Sequence, residues 1–248
     1  MILAIDVGNT NITCGIFDAE ELVSIFRMPT DNNYDVVEKL YLETDSLEIS
    51  GVIIGSVVDE INDRLLSAIN KVFDIEPIVV SDKLKMSIKP AVESPKEVGA
   101  DRVANAQRAW NIFKRASVTV DLGTATTFDI VNSEGEFIGG LIAPGIKTQL
   151  KSLSKATSKL PNLDLEQVED IIGKNTKDAI LTGVVIGTAS MIDGMLSRAE
   201  NKLMQKPVII LTGGFSEIIS KHLTHNIDLI SPNLTLEGLR DLYFLNKK

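Results

Sequence analysis

The chain has 248 residues, of which 44% are hydrophobic and 24% charged, and its formal net charge at pH 7 is −9. This length suffices for one large domain or for two domains of about 120 residues with real cores. The negative charge argues against a nucleic-acid partner, because binding to the phosphate backbone depends on clustered Lys and Arg. No apolar stretch approaches the roughly 18 residues of a membrane span, and the N-terminal apolar run lacks the basic flank and cleavage site of a signal peptide. We therefore expect a soluble, cytosolic protein that holds any anionic ligand through local groups.

Cysteine and histidine offer little metal-binding chemistry. Cys14 is the single cysteine, which excludes an intrachain disulfide and a zinc site built from cysteines. We expect it to be buried as a small hydrophobic residue in the second strand. His222 and His225 have a spacing that helical metal ligands use, but no Glu or Cys frames them, so we predict surface histidines.

The first half alternates apolar runs with amphipathic segments. In the stretch NYDVVEKLYLETD, the apolar residues Val36, Val37, Leu40 and Tyr41 recur at helical spacing. The predicted elements are, in order, the strands ILAIDVG, ITCGIFD and LVSIFRMP, the helix NYDVVEKLYLETD, the strand GVIIGSVV, the helix EINDRLLSAINKVF and the strand PIVVS.

The second half repeats this order. Its predicted elements are the strands SVTVDLG, TTFDIVN and EFIGGLIAPG, a helix-rich region from about Lys147 to Leu203, the strand PVIILTGGF and a helix from about Ser216. Three strands, a helix, a strand and a helix, occurring twice, predict an α/β duplication with mixed sheets. We place the join near Arg115, giving domains 1–115 and 116–248, and we expect a helix through GADRVANAQRAWNIFKRA to pack across it.

Two short stretches break an apolar run with an aspartate and a glycine. DVGNTN (Asp6 to Asn11) ends the first strand, and DLGTATT (Asp121 to Thr127) ends the first strand of the second half. Each stretch alone is consistent with an ordinary β-turn, because Gly, Asn and Asp supply turn conformations and local hydrogen bonds. Their recurrence at equivalent points favours a shared function. In such a duplication we expect the two turns to face each other across a cleft.

These turns combine phosphate donors with carboxylates. Backbone N–H groups and hydroxyls bind phosphate, whereas Asp6 and Asp121 would repel it unless a cation lies between them, so the pair predicts a cleft for a metal–nucleotide complex. A third glycine-rich turn, LTGGFSE (Leu211 to Glu217), either lets backbone approach a nucleotide or allows tight packing of a strand against a helix. The sequence contains no Gly-Lys-Ser/Thr phosphate loop, and we identify no Ser/His/Asp or Cys/His arrangement for nucleophilic catalysis.

The chain resembles a known family. Its two turns look like the phosphate turns of the acetate and sugar kinase, heat-shock chaperone and actin superfamily. Three further segments are similar to the type III pantothenate kinases: SPKEVGADRVANA (Ser94 to Ala106), GGLIAPGIKTQLKSLSKATSKLP (Gly139 to Pro161) and GKNTKDAILTG (Gly173 to Gly183). The match runs in order over essentially the whole chain, and GADR is its most specific element. The resemblance implies a duplicated ribonuclease H-like (actin-like ATPase) fold, with two mixed-sheet domains flanking a nucleotide cleft.

The resemblance also implies an activity and a set of site residues. These kinases phosphorylate the primary hydroxyl of pantothenate from ATP, the first committed step toward coenzyme A, with Mg²⁺ and a monovalent cation (K⁺ or NH₄⁺) as cofactors. Asp121 maps to the ligand of the monovalent cation. The ATP phosphates map to Asp6, Val7, Gly8, Asn9, Thr10, Asn11, Ile12, Thr13 and Thr124. Pantothenate maps to Gly99, Ala100, Asp101 and Arg102, with Asp101 as catalytic base, and to Thr176 from the partner subunit of a homodimer.

One departure from the family pattern concerns pantothenate. Many members carry a Tyr two residues before the Pro of the segment that contains GADR. This chain has Val92 and Glu93 there, so no tyrosine contact to pantothenate is carried over.

The chemistry of the GADR segment can be argued without the family. Phosphoryl transfer to an alcohol needs charge neutralisation at the γ-phosphate, in-line placement and removal of the hydroxyl proton. Asp101 suits the last task, and Arg102 is able to bind a substrate carboxylate in a two-pronged contact. The alternative is that Asp101 is a helix N-cap and Arg102 a solvated side chain.

Other functions and another role for the helical region stay open at this stage. A sugar or acyl-phosphate kinase would share the cleft, and a nucleotide-binding regulatory protein would keep the fold without transferring phosphate. Neither is favoured, because no segment resembles the substrate loops of the other kinases and Asp101 accompanies both turns. The region from Lys147 to Leu203, with the apolar stretch GVVIGTASMIDGML, is the predicted dimer interface unless it is simply core.

Overall fold

The computed structural model of the chain describes residues 1–247 apart from residues 32, 157–160, 162, 167 and 169. The chain divides into two compact units. Unit 1 comprises Met1–Ile112 together with the described residues from Leu234 onward, and unit 2 comprises Phe113–Asn233. The boundary between the units is close to the predicted join.

Unit 1 contains a mixed sheet with helices on both faces. The strands of this sheet are β1 (Ile2–Val7), β2 (Asn11–Asp18), β3 (Glu21–Pro29), β4 (Gly51–Ser56) and β5 (Ile78–Val79), and unit 1 also contains the short β6 (Lys89–Pro90), which lies outside this sheet. Its helices are α1 (Val36–Thr44), α2 (Asn62–Phe73), α3 (Ala100–Phe113) and, at the end of the chain, α7 (Leu234–Asn246). The sheet order is β3-β2-β1-β4-β5, with β1 antiparallel to β2 and parallel to β4.

Strand β1 is buried on both faces. Leu3 points into a cluster that contains Leu40 of α1 and Leu65 of α2. Ile2 points to the opposite face, where it packs in a cluster with Leu239 of α7. This double burial explains why β1 reads as a nearly continuous apolar run rather than as an alternating pattern.

Helix α7 lies in unit 1, whereas the sequence-based division assigned 116–248 to the second half. The apolar face of α7 packs in the same cluster as β1, and its polar side contacts α3. Arg108 Nε donates to Glu237 at 2.9 Å, and Asn111 Nδ2 donates to Asp241 at 2.9 Å. The chain therefore returns at its end to cover the second face of the first sheet.

Unit 2 repeats the architecture of unit 1. Its elements are β7 (Ser117–Leu122), β8 (Ala125–Val131), β9 (Glu136–Pro144), α4 (Ile146–Ala156), α5 (Thr176–Leu203), β10 (Val208–Thr212), α6 (Ser216–Ser220) and β11 (Leu229–Ile230). Within the unit the strands are ordered β9-β8-β7-β10-β11. This order matches that of unit 1 strand for strand, so the predicted duplication with mixed sheets is confirmed.

Helix α5 contradicts the prediction about apolar length. Its length and apolar composition would suffice to cross a membrane, so the expectation that no stretch approaches such a length was wrong. Half of its apolar window is buried, and Leu181, Val185 and Ile192 pack in the core of unit 2. These contacts identify α5 as a core helix of the unit.

Candidate active site

The β1–β2 turn presents polar groups at the edge of the unit 1 sheet. Asp6 is half-buried near the end of β1, where its partners across the strands are Thr13 and Gly55. Gly8 N donates to the carbonyl of Asn11 at 3.1 Å. Thr30, which directly follows β3, donates its hydroxyl to the carbonyl of Gly8 at 2.7 Å. The turn is thus held from the side of β3.

The tip of this turn faces solvent. Asn9, Thr10 and Asn11 are exposed, whereas Val7 and Ile12 are buried in the core. The exposed residues therefore offer polar side chains, while Val7 and Ile12 offer only their backbone groups. A short turn of this composition is suited to phosphate oxygens.

Cys14 confirms its predicted role as a small buried residue. It is fully buried in β2. Burial, reinforced by the negative charge of Asp6, raises the pKa of the Cys14 thiol. The thiol stays neutral and is no candidate nucleophile.

The β7–β8 turn occupies the equivalent position in unit 2. Asp121 pairs with Thr127 on one side and Thr212 on the other, as Asp6 pairs with Thr13 and Gly55 in unit 1. Gly123 N donates to the carbonyl of Ala125 at 3.0 Å, which makes this turn tighter than the first. Thr124, at its tip, is exposed.

The third glycine-rich turn reaches the same end of the unit 2 sheet. Gly213 follows β10 and has a φ of +85°, a conformation that favours glycine. A Cβ there would lie 2.5 Å from Asp121 Oδ1. The close approach is therefore to strand β7, at Asp121 and at the backbone of Leu122, and a contact of this turn with nucleotide stays a prediction.

Asp101 and Arg102 lie in the first turn of α3. The helix begins at Ala100, so Asp101 is inside the helix and is not its N-cap. Its Oδ1 accepts the backbone N–H of Arg102 at 2.8 Å. Gly99, Asp101 and Arg102 are half-buried, and Ala100 is buried. The hydrogen bond from Arg102 N–H uses Oδ1 of Asp101 and not the second carboxylate oxygen, Oδ2.

Thr176 is the first residue of α5 and is exposed. Asn175 caps the helix by accepting the N–H of Asp178 at 2.9 Å. Lys177 contacts Glu166 at 2.7 Å, and this hydrogen bond raises the pKa of Lys177. These contacts fix the beginning of α5 and leave Thr176 on the surface.

His225 makes structural contacts with Asp193. His225 Nδ1 lies 2.7 Å from Asp193 Oδ1, and Asp193 also accepts the backbone N–H of Thr224 at 2.9 Å. Burial alone would raise the pKa of Asp193, but hydrogen bonds from Thr224 and His225 outweigh it and lower the pKa. Across the part of the chain that the structure describes, no three His, Cys, Asp or Glu residues group as a metal site. His222 and His225 are both half-buried, so neither is the fully exposed surface histidine that the sequence predicted.

Ser197 completes a row with His225 and Asp193. Its Oγ lies 3.4 Å from His225 Nε2 and donates to the backbone carbonyl of Asp193 at 3.0 Å. The Ser197 hydroxyl is thus held within one turn of α5. Its contact to His225 is too long to activate Ser197 as a nucleophile. The row ties the segment around His225 to α5.

Comparison with known proteins decides the family. The model of the type III pantothenate kinase family matches residues 2–198. The chain belongs to the type III pantothenate kinase family. A type III pantothenate kinase from Syntrophus aciditrophicus is 39% identical over 254 residues, covering 99% of this chain and 100% of that protein. As a member of the family, the chain catalyses ATP-dependent phosphorylation of pantothenate in coenzyme A biosynthesis.

Solved structures support the fold of this kinase. A conserved Campylobacter jejuni protein, described as a Baf family transcriptional activator, has a TM-score of 0.63 at 20% identity and covers 98% of both chains. The activator of 2-hydroxyisocaproyl-CoA dehydratase from Clostridium difficile, solved with ADPNP, has a TM-score of 0.54 at 13% identity, covering 98% of this chain and 93% of its own. The ROK hexokinase from Thermus thermophilus has a TM-score of 0.53 at 14% identity over 98% of both chains. These likenesses confirm the predicted actin-like ATPase fold.

Proposed function

We propose that the chain transfers the γ-phosphoryl group of Mg²⁺-bound ATP to the primary hydroxyl of pantothenate, as a cytoplasmic homodimer. The observation that carries the proposal is the recurrence of one Asp-x-Gly turn at the same strand position in both units. In this account the β1–β2 turn, Asp6 to Thr13, binds the ATP phosphates and Thr124 adds a further contact. Exposed amides and hydroxyls suit phosphate oxygens, and the half-buried Asp6 carboxylate suits Mg²⁺.

Asp101 and Arg102 are proposed to have different roles toward pantothenate. In the proposal Asp101 takes the proton from the attacking hydroxyl, and Arg102 binds the carboxylate of pantothenate in a two-pronged contact. Gly99 and Ala100 belong to the same segment, and neither has a side chain large enough to obstruct the substrate. A positioned carboxylate base contributes about 10²- to 10⁴-fold to the rate, so positioning and charge neutralisation supply the rest.

Asp121 is proposed to bind the monovalent cation. Its half-buried carboxylate sits at the end of β7, and Gly213 approaches one of its oxygens closely. Such a carboxylate needs a counter-charge when phosphate binds nearby. A cation held there would supply that charge, while Asp121 would supply an oxygen ligand.

Activity should depend on the monovalent cation. With K⁺ or NH₄⁺ present we expect full activity, and replacement by Na⁺ at equal ionic strength should lower it. The measurement is the initial rate of ADP release in matched chloride salts. Asp121→Asn should abolish the difference between the salts, because the proposed ligand charge is lost. Equal wild-type rates in the K⁺, NH₄⁺ and Na⁺ salts would contradict the proposed cation site.

The proposed dimer places α5 at the subunit interface. Gly183, Gly187 and Ser190 are exposed on successive turns of the helix, and a Cβ added at either glycine would meet no atom within 4 Å. Small residues let two helices approach closely. Ile171 and Ile172, which precede α5, are 65% and 70% exposed. In the proposed dimer, Thr176 at the beginning of α5 contacts the pantothenate bound by the partner.

A bulky residue on this face should separate the subunits. Gly187→Trp has room in the single chain but would block close helix approach, so we expect a monomer with reduced activity. The molar mass is measured by light scattering after size-exclusion chromatography. Asn201→Trp, at an exposed position further along α5, is the matched control and should stay dimeric. A wild-type monomer, or a dimeric Gly187→Trp variant, would contradict this interface.

The proposal can be separated from other functions of the same fold. ADP release is measured with pantothenate, glucose or acetate as the acceptor. Pantothenate alone should raise the rate above the background. Release with glucose or acetate would indicate another kinase, and nucleotide binding without acceptor-dependent release would indicate a regulatory protein.

A further inference from the structure

We infer that the connection from β9 to α4 is a clamp that positions the β7–β8 turn for nucleotide, with Thr148 as its positioning residue. The inference deepens the proposed function, because it rests on the proposed ATP contact of Thr124. The clamp consists of Pro144, Gly145, Thr148 and Gln149.

The carbonyl of Thr124 accepts two hydrogen bonds from the clamp. Gly145 N donates to it at 3.2 Å, and Thr148 Oγ1 donates at 2.8 Å. Thr148 lies in the first turn of α4. Both bonds are local to the tip of the turn, so they fix the peptide plane that follows Thr124. The orientation of that plane also sets the direction of the next backbone N–H group.

Gly145 brings the backbone of the clamp into direct contact with the turn. A Cβ at this position would lie 2.4 Å from the carbonyl oxygen of Gly123 and 2.5 Å from that of Thr124. Both atoms belong to the backbone, so a side chain there would displace the turn itself. Glycine at 145 is therefore required by the close approach.

The clamp is itself anchored in unit 2. Gln149 Nε2 donates to the carbonyl of Pro144 at 2.9 Å and to Thr188 Oγ1 of α5 at 3.1 Å. Ile146 and Leu150 hold α4 against the core of the unit. A chain of contacts thus runs from α5 through Gln149 to the tip of the β7–β8 turn.

This arrangement assigns the carbonyl and the hydroxyl of Thr124 to different partners. The carbonyl of Thr124 accepts hydrogen bonds from Gly145 and Thr148. Its exposed side chain is the group that is proposed to contact the nucleotide. Phosphoryl transfer depends on placement, and a displacement of about 1 Å can cost about 10²-fold in rate. Loss of the Thr148 bond should loosen the turn without unfolding the unit, because Gly145 N still donates to the same carbonyl and Thr148 is exposed.

The test compares Thr148→Val with Thr148→Ser. The valine variant keeps the shape but loses the hydroxyl, and we expect its kcat/KM for ATP to fall by about tenfold, as for one lost hydrogen bond. The KM for pantothenate should change by less than about twofold, because Thr148 acts only through the nucleotide turn. Thr148→Ser should restore wild-type kinetics. Ser152→Ala, which removes another exposed hydroxyl of α4, is the matched control and should change nothing.

A second readout separates the clamp from the proposed reaction. The affinity for the analogue ADPNP is measured by calorimetry, and Thr148→Val should weaken it while Thr148→Ser should not. Wild-type kinetics and ADPNP affinity in the valine variant would overturn the clamp. So would equal losses toward ATP and pantothenate accompanied by a lower Tm, which indicate a structural role. If the wild type bound ADPNP but made no phosphopantothenate, the proposed function would fail and the ADPNP affinities would still decide the clamp; if it bound none, both would fail.

Discussion

Asp101→Asn should lower kcat by about 100-fold or more while the KM for pantothenate changes only a few-fold. The amide keeps the size and hydrogen-bonding reach of the carboxylate but cannot accept the proton of the attacking hydroxyl. An interaction that matters mainly in the transition state lowers kcat and kcat/KM together. Steady-state kinetics of the purified variant, with pantothenate and ATP varied in turn, measure both parameters.

Arg102→Ala is the matched comparison, because Arg102 is the neighbouring half-buried residue of the same helical turn. It should raise the KM for pantothenate through the lost carboxylate contact and affect kcat less. If Asp101→Asn instead raised KM with kcat unchanged, Asp101 would be a binding residue and its assignment as general base would be wrong.

Asp6→Asn should lower turnover by about 10²- to 10³-fold, the range seen when one preorganised charge-stabilising group is removed. The carboxylate is proposed to organise Mg²⁺-bound ATP, and an amide of equal shape lacks its charge. The fold should persist, because Asp6 lies at the open end of β1 and the apolar core of the strand is unchanged. The measurements are kcat at saturating substrates and the far-UV circular dichroism spectrum.

Asp18→Asn is the control for this change. Asp18 is an exposed carboxylate at the far end of β2, so the same chemical substitution there should leave turnover near the wild-type value. Wild-type activity in the folded Asp6→Asn variant would remove Asp6 from the proposed ATP site.

The duplicated fold could be predicted because local sequence patterns indicate its strands. Strand β1 is a nearly continuous apolar run, β7 alternates Val118 and Val120 with Ser117 and Thr119, and both end in the same Asp-x-Gly turn, so these strands can be predicted without tertiary information. Helix α7 was not predicted as part of unit 1, because nothing in its own residues indicates that they pack against a strand at the other end of the chain. The apolar length of α5 was underestimated although helix length and composition alone reveal it, whereas its burial depends on the core of unit 2.

The candidate site divides in the same way. Asp6 and Asp121 could be proposed from a repeated sequence-local pattern, whereas the GADR segment was proposed through its resemblance to the family. The residues that hold the turns could not, because Thr30 and Thr148 contact them from other elements. Gly145 was noticed only within a segment that resembles the family. Its closeness to the turn becomes visible when β8 and β9 pair.

The most direct test of the account is to identify the product that the chain makes from ATP and pantothenate. Phosphorus NMR and mass spectrometry of the reaction mixture should show ADP and 4'-phosphopantothenate in equal amounts, with the phosphate on the primary hydroxyl. The mixture containing Asp101→Asn should show about 100-fold less of both after the same time. ADP formed without phosphopantothenate, or no ADP under conditions in which the folded wild type binds nucleotide, would contradict the account.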